Sequence, residues 1–235
     1  MKFYHINTPP ELKNTFFVKL IFIHRQHMMK YGIITGNFKQ RGTKNMKKRA
    51  LICIIGGSGS GKSTLEDEIV IHDGFSKVIS TTTRKKRDGE HNGREYHFVD
   101  IQTFKNIEAQ NELLESIEFS NNFYGLTKSE FNKTTDNLVF VVEPHGFVQI
   151  SNYIADNNLN IETIVVFMNI SEKERFKNMV KRGDSPISIQ DRLQNEKIVE
   201  DFNNFGIIPN IAVTTLNENT HKKIMNSIIK IIEQY

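Results

Sequence analysis

An α/β fold, a parallel sheet with helices on both faces, follows from three features of this 235-residue sequence. From residue 47 onward, strand-like and helix-like segments alternate, the order in which βα units are built. The runs 50–55, 138–143 and 162–168 are almost continuously apolar and rich in β-branched residues, as strands buried on both faces are. A glycine-rich turn, GGSGSGKS, joins the first of these runs to a helical one.

The elements read in order as follows. Residues 50–55 form a short buried strand and 65–70 the first turns of a helix. Residues 77–80 form a second short strand. The stretch 81–100 is polar, basic and rich in turn signals (Asp88-Gly89, Asn92-Gly93), and reads as a strand-and-turn excursion ending in Tyr96-His97-Phe98-Val99. Residues 101–114 read as a helix with Phe104, Ile107 and Leu114 on one side. Segments 117–119 and 123–125 bracket a turn at Asn121-Asn122, and 127–134 is a short helix. A central strand spans 138–143, a helix 147–157 and another buried strand 162–168. Ser171 caps a helix that runs through Arg182, with Glu174 at the capping-box position and Gly183 ending it. A helix at 188–202, a strand at 211–214 and a closing helix at 219–235 complete the chain.

Bulk properties narrow the class. The chain is 38% hydrophobic and 25% charged, ordinary for a globular protein with a substantial core. Its longest apolar run, 16–23, is eight residues with Lys19 inside it, too short to span a membrane. The single cysteine, Cys53, excludes an intrachain disulfide and fits a reducing, cytoplasmic compartment. The net charge of +4 is unevenly placed. Residues 1–46 hold eight Lys/Arg and one acid (Glu11), whereas 47–235 hold 23 basic and 26 acidic residues. The mildly acidic body points to no nucleic-acid partner. Residues 1–46 lack a clean helical or strand period, and read as a targeting segment, an ordered extension, or a dispensable stretch preceding a start at Met46. The last is the favoured expectation, and deletion of 1–45 without loss of folding or activity is its test.

The turn carries the chemistry. Gly56, four residues, then Gly61-Lys62-Ser63 is the spacing of a nucleoside-triphosphate phosphate loop, here in its strand–loop–helix setting. Its backbone, from Gly56, Gly57, Ser58, Gly59, Ser60 and Gly61 to Thr64, would turn successive N–H groups toward phosphate oxygens. Lys62 would reach the outer phosphates of ATP, and the Ser63 hydroxyl would ligate Mg²⁺. The fold expected is thus a P-loop NTPase-type parallel sheet. Downstream, Arg84 and Arg87 lie three apart beside Lys85 and Lys86, with Tyr96 following. Guanidinium forks and a tyrosine hydroxyl near a triphosphate site suggest a second phosphate.

Ser80-Thr81-Thr82-Thr83-Arg84, Arg87, Gly89-Glu90, Gly93, Tyr96-x-Phe98-Val99, Leu114-Glu115 and Tyr124-Gly125 fall in the order and spacing of the guanylate kinases, and the chain resembles that family over roughly 48–235. The resemblance implies transfer of the ATP γ-phosphoryl group to GMP or dGMP with Mg²⁺. It implies a core (47–80 and 138–235), a small mixed strand/turn monophosphate-binding subdomain (about 81–137) and a helical lid (about 178–195). By position, Arg84, Arg87, Tyr96 and Tyr124 would hold the acceptor's phosphate, and Glu115 would read guanine N1–H and its exocyclic amine. Ser80 and Glu143 would make further base contacts, and Arg182 and Arg192 would close over the transferring group. Its partners would be small nucleotides, with no nucleic acid and no membrane, and the oligomeric state is left open.

Glu143 stands for an aspartate, keeping the charge with one more methylene, and four other positions depart further from that pattern. Leu126 replaces a hydroxyl residue that helps read guanine O6, with Thr127 next to it. Val141 replaces a carboxylate in the outer shell of the metal. Asn178 stands at a lid arginine, with Arg175 and Lys181 a turn either side, and Thr214 at an asparagine near the adenine. They predict looser base selection, with a deoxynucleoside monophosphate kinase of the kind large viruses carry as the variant activity. A non-catalytic interaction module of the same fold is the reading from another class. The intact Lys62, Ser63 and loop glycines speak against it.

Overall fold

The computed structural model describes residues 48–119 and 121–234. The basic stretch 1–46, with its three readings, lies outside them. Strand β1 (Arg49–Gly56) is the centre of a five-stranded parallel sheet. Its neighbours are β7 (Asn137–Val141), flanked by β2 (Phe75–Lys77), and β8 (Ile161–Met168), flanked by β9 (Ile211–Val213). Side chains alternate between faces along a strand. Leu51, Cys53 and Ile55 therefore join one core with Phe140, Val165 and Phe167, covered by α4 (Pro144–Asp156) and α7 (Ile198–Asn204). Ala50, Ile52 and Ile54 join the other with Ile164 and Val166, covered by α1 (Lys62–Ile69) and α8 (Thr220–Ile232). Burial on both faces explains the unbroken apolar runs. It also pushes the Cys53 thiol above its ordinary range, which leaves it inert.

A second, four-stranded sheet rises from residues 81–127. Its order is β4 (His97–Phe98), β3 (Thr81–Thr82), β6 (Asn122–Thr127), β5 (Leu113–Phe119). Asn121, at φ 59°, turns the β5–β6 hairpin as expected. Helix α2 (Ile101–Ala109) connects β4 to β5, and the short α3 (Lys128–Phe131) follows β6. Helix α5 (Glu172–Arg182) begins at Ser171, whose hydroxyl accepts from Glu174 N, and ends at Gly183 with φ 87°, as its capping residues predict. Helix α6 (Pro186–Asn195) follows.

Among the boundaries that differ from the sequence reading, four bear on the site, each with a physical reason. The second strand is 75–77 and not 77–80: after Val78 N donates to Val139 O at 2.9 Å, Ile79 N donates instead to the Glu130 carboxylate at 2.8 Å, and the chain leaves the sheet. The helix predicted over 101–114 stops at Ala109, because Asn111 takes a left-handed φ of 56°, and Leu114 belongs to β5. Glu143 lies beyond β7 at the N-cap position of α4, which begins at Pro144, and its side chain makes no capping bond. The single helix expected over 188–202 is two, broken where Glu196 turns extended (ψ 124°). No helix among the described residues is long and apolar enough to cross a membrane.

Candidate active site

Gly56 ends β1 and Lys62 opens α1, so the loop turns through five residues at the C-terminal edge of the central strand. Gly59 and Gly61 have φ of 77° and 89°, conformations that L side chains resist. At Gly59 a β-carbon would also lie 2.4 Å from the Arg175 carbonyl oxygen, so the glycine admits α5 to the loop. Lys62 Nζ donates to Gly56 O at 2.5 Å and Gly57 O at 3.0 Å, which holds the ammonium over the loop. Burial lowers its pKa below the ordinary amine value, while the Glu143 and Glu196 carboxylates pull it back.

A cavity of about 1310 Å³ opens over the loop. Ser58, Gly59, Ser60, Gly61, Lys62, Ser63 and Thr64 form one wall; Ser80, Arg84, Arg87, Tyr96, Glu115, Tyr124 and Glu143 line other parts of it, with Arg182 and Arg192. Of the sequence-predicted site residues only Gly56 and Gly57 are not on its wall: Gly56 packs on Met168 and Gly57 beneath Arg175.

The arginine cluster is built by the second sheet. Arg84 Nη2 pairs with Glu90 Oε1 at 2.8 Å, and its guanidinium lies over the Tyr96 and Phe98 rings at 5.3 and 5.6 Å. The ring of Tyr124 stands edge-on to that of Tyr96 at 5.9 Å. Glu90 Oε2 accepts from Arg87 N at 2.8 Å, so one carboxylate sets both arginines. Burial lowers the Arg87 pKa, and Arg84, Arg192 and Arg182 lower it further. All four arginines line the cavity, and Glu90 and Asp184, which pair with Arg84 and Arg182, offset only part of that charge, so the wall favours an anion.

Two carboxylates sit deeper. Glu115 is 6% exposed and faces Gly146, where a β-carbon would come within 2.9 Å of Glu115 Oε2. Burial raises its pKa to about 8, and repulsion from Glu143 adds to the shift, against a backbone N–H from Leu126. Burial raises Glu143 to about 7, opposed by Lys62.

The departures have structural answers. Leu126 is fully buried, and the Thr127 hydroxyl accepts from Glu130 N at 3.2 Å as the cap of α3, so neither residue lines the cavity. Beside Val141, the Glu66 carboxylate lines the cavity, paired with Lys77 Nζ at 2.7 Å. Asn178 Nδ2 donates to Gly59 O at 2.8 Å. Thr214 is exposed and off the cavity, which Leu216, Asn217 and His221 line instead. Sequence reasoning placed Glu90 in the motif without a role and missed Asp184 and Glu196; the three pair with Arg84, Arg182 and Arg175. Only Glu90 carried a signal, in the run Arg84–x–x–Arg87–x–x–Glu90.

Comparison with known proteins agrees with this geometry. The family model described as guanylate kinase matches residues 47–234. The guanylate kinase of Campylobacter jejuni subsp. jejuni is 34% identical over 158 residues, 64% of this chain and 74% of that one. That of a Ruegeria species is 31% identical over 180 residues, 73% and 79% of the two chains. The crystal structure of guanylate kinase from Anaplasma phagocytophilum superposes with a TM-score of 0.53 at 19% identity, covering 79% of this chain and 85% of that one, which shows a shared fold. With a phosphate loop and an arginine–tyrosine cluster on one cavity, and a family model spanning all of the described residues, the chain belongs to the guanylate kinase family.

Proposed function

We propose that this chain transfers the γ-phosphoryl group of ATP to GMP or dGMP. One observation carries the reading: the phosphate loop and the Arg84–Arg87–Tyr96–Tyr124 cluster share one cavity, with Arg182 and Arg192 on its wall. The domain reading goes with it: a core (47–80 and 138–235), an acceptor-binding part (81–137) and a lid (178–195).

The roles follow from charge and reach. Loop N–H groups and Lys62 hold the ATP phosphates. Arg84 and Arg87 hold the acceptor's phosphate, aided by the Tyr96 and Tyr124 hydroxyls. Glu115 accepts from guanine, with Ser80 and Glu143 beside the base. Arg182 and Arg192 neutralise charge on the transferring group and exclude water when the lid is shut. The acceptor phosphate is itself the nucleophile and already anionic, so no side-chain base is needed. Mg²⁺ takes hard oxygen donors and keeps several from phosphate and water. The Ser63 hydroxyl on the cavity wall fits that donor set and would hold it, and when bound it would neutralise charge between the outer phosphates. The buried, unpaired Cys53 fits a reducing cytoplasm.

A coupled ADP-release assay against GMP, dGMP, AMP, dAMP, CMP, dTMP and UMP tests the function. GMP or dGMP is expected to stimulate turnover most. Turnover that no acceptor stimulates overturns the kinase reading, and dTMP or dAMP matching dGMP overturns the role of Glu115. Arg84→Ala removes charge-assisted contacts, so the acceptor KM is expected to rise about ten- to a hundredfold with the ATP KM little changed. Unchanged acceptor kinetics sink the second phosphate site.

A further inference from the structure

Ser58 is gripped on every side by residues from beyond the loop. Its N–H donates to both carboxylate oxygens of Glu196, at 2.8 and 3.0 Å. Its carbonyl accepts from Arg175 Nη1 at 3.2 Å, and its hydroxyl from Arg192 Nη1 at 3.3 Å. Arg175 Nη1 also donates to Glu196 Oε2 at 2.7 Å, and the two side chains are only 15% and 7% exposed. The guanidinium rests directly on Gly57: a β-carbon there would lie 2.0 Å from Arg175 Nη1 and 2.9 Å from Glu196 Oε2. Glycine at that position is what lets the pair reach the loop.

A buried carboxylate lining a triphosphate cavity opposes the ligand by its charge alone. Arg175 offsets that charge, but a buried ion pair adds little stability over an apolar pair of the same volume. The pair's distinctive product is the orientation of the two peptides that meet at Ser58. Ser58 immediately precedes Gly59, whose φ of 77° begins the turn that carries Ser60, Gly61, Lys62 and Ser63 along the cavity wall. Arg175 belongs to α5, Arg192 to α6, and Glu196 to the break between α6 and α7. All three registers are thereby tied to one loop residue.

We propose that Glu196 and Arg175 are positioning residues for ATP, holding Ser58 by its N–H and its carbonyl so that the phosphate loop and Arg192 are set before the nucleotide arrives. The loop then loses less freedom on binding, which appears as affinity. This rests on the reading of the loop as the ATP site.

Glu196→Gln keeps the shape and removes the charge, and the double variant Arg175→Leu/Glu196→Leu replaces the pair by apolar groups. Both are compared with the unaltered protein by calorimetric binding of a non-hydrolysable ATP analogue, by thermal unfolding, and by ATP and acceptor KM. Glu196→Gln is expected to raise the analogue's Kd and the ATP KM about tenfold, with the acceptor KM moving less than about twofold. The double variant is expected to recover the unfolding temperature and still bind the analogue about tenfold more weakly, which a merely structural pair would not do. A double variant that melts like the unaltered protein and binds the analogue equally well overturns the proposal. So does a Glu196→Gln variant that binds it more tightly. Analogue binding needs no acceptor, so it is read separately from failure of the unaltered protein to phosphorylate GMP.

Discussion

Lys62→Ala is expected to abolish acceptor-dependent turnover, with kcat falling by about a thousandfold or more. The size follows from the chemistry. Phosphoryl transfer asks the protein for position and positive charge, and Lys62 is the cation that opens α1 at the loop. Its present partners, the carbonyls of Gly56 and Gly57, are neutral acceptors that a phosphate outcompetes. The ammonium can therefore follow the transferring group at small cost. The same bonds warn of a structural confound, since alanine leaves both carbonyls without that donor, at about 1 kcal/mol each. Unfolding temperature and ATP-analogue binding should be measured alongside. A folded variant that still binds the analogue while turnover is lost supports the role. A variant keeping more than about a tenth of kcat, less than 1.4 kcal/mol of transition-state stabilisation, overturns it.

What could be read from the sequence, and what could not, divides along one physical line. The central sheet was legible because burying both faces of β1, β7 and β8 demands apolar residues at every position, a pattern no helix surface shares. The cap of α5 was legible because Ser171, Glu174 and Gly183 act on neighbours within a turn or two. The loop and the Arg84–Arg87 cluster were legible because their residues sit close in sequence. Contacts across the chain were not. Glu130 ends β2 from 51 residues away by taking Ile79 N, and no local feature near residue 79 announces it. Glu196 breaks a helix whose sequence there, Asn195-Glu196-Lys197, holds no breaking residue; its reason is Ser58, 138 residues earlier. Asn111 could have been suspected, since Asn tolerates the left-handed region, but Phe104, Ile107 and Leu114, three and then seven residues apart, fit one helical face and masked it.

The second large effect is the loss of guanine binding at Glu115, and its pH dependence carries the proof. Glu115 is raised from 4.5 to about 8 by burial first and by Glu143 second. Glu143 is itself raised to about 7. A carboxyl with a raised native pKa binds its proton more tightly folded than unfolded, so the ligand-free protein loses stability as pH climbs from 4.5 toward 8. Guanine N1–H and the exocyclic amine are donors, and only the ionised carboxylate accepts from both. With the role proposed for Glu115, GMP binding below pH 8 is expected to expel a proton, and its affinity to rise with pH and level off above that value. Stability of the free protein and affinity for GMP thus run in opposite directions over one window. Glu115→Gln removes the titration and one acceptor. GMP kcat/KM is expected to fall on the order of a hundredfold, and the rise of GMP affinity with pH to flatten. The free variant should also melt higher than the unaltered protein at pH 8.5, where it buries no charge. The acceptor phosphate's own ionisation, near about 6, is common to both proteins and cancels in the comparison. Calorimetric GMP titrations across this range, in buffers of different ionisation enthalpy, count the released proton directly. A Glu115→Gln variant that keeps the proton release and the pH slope assigns the titration to another group and removes Glu115 from guanine recognition.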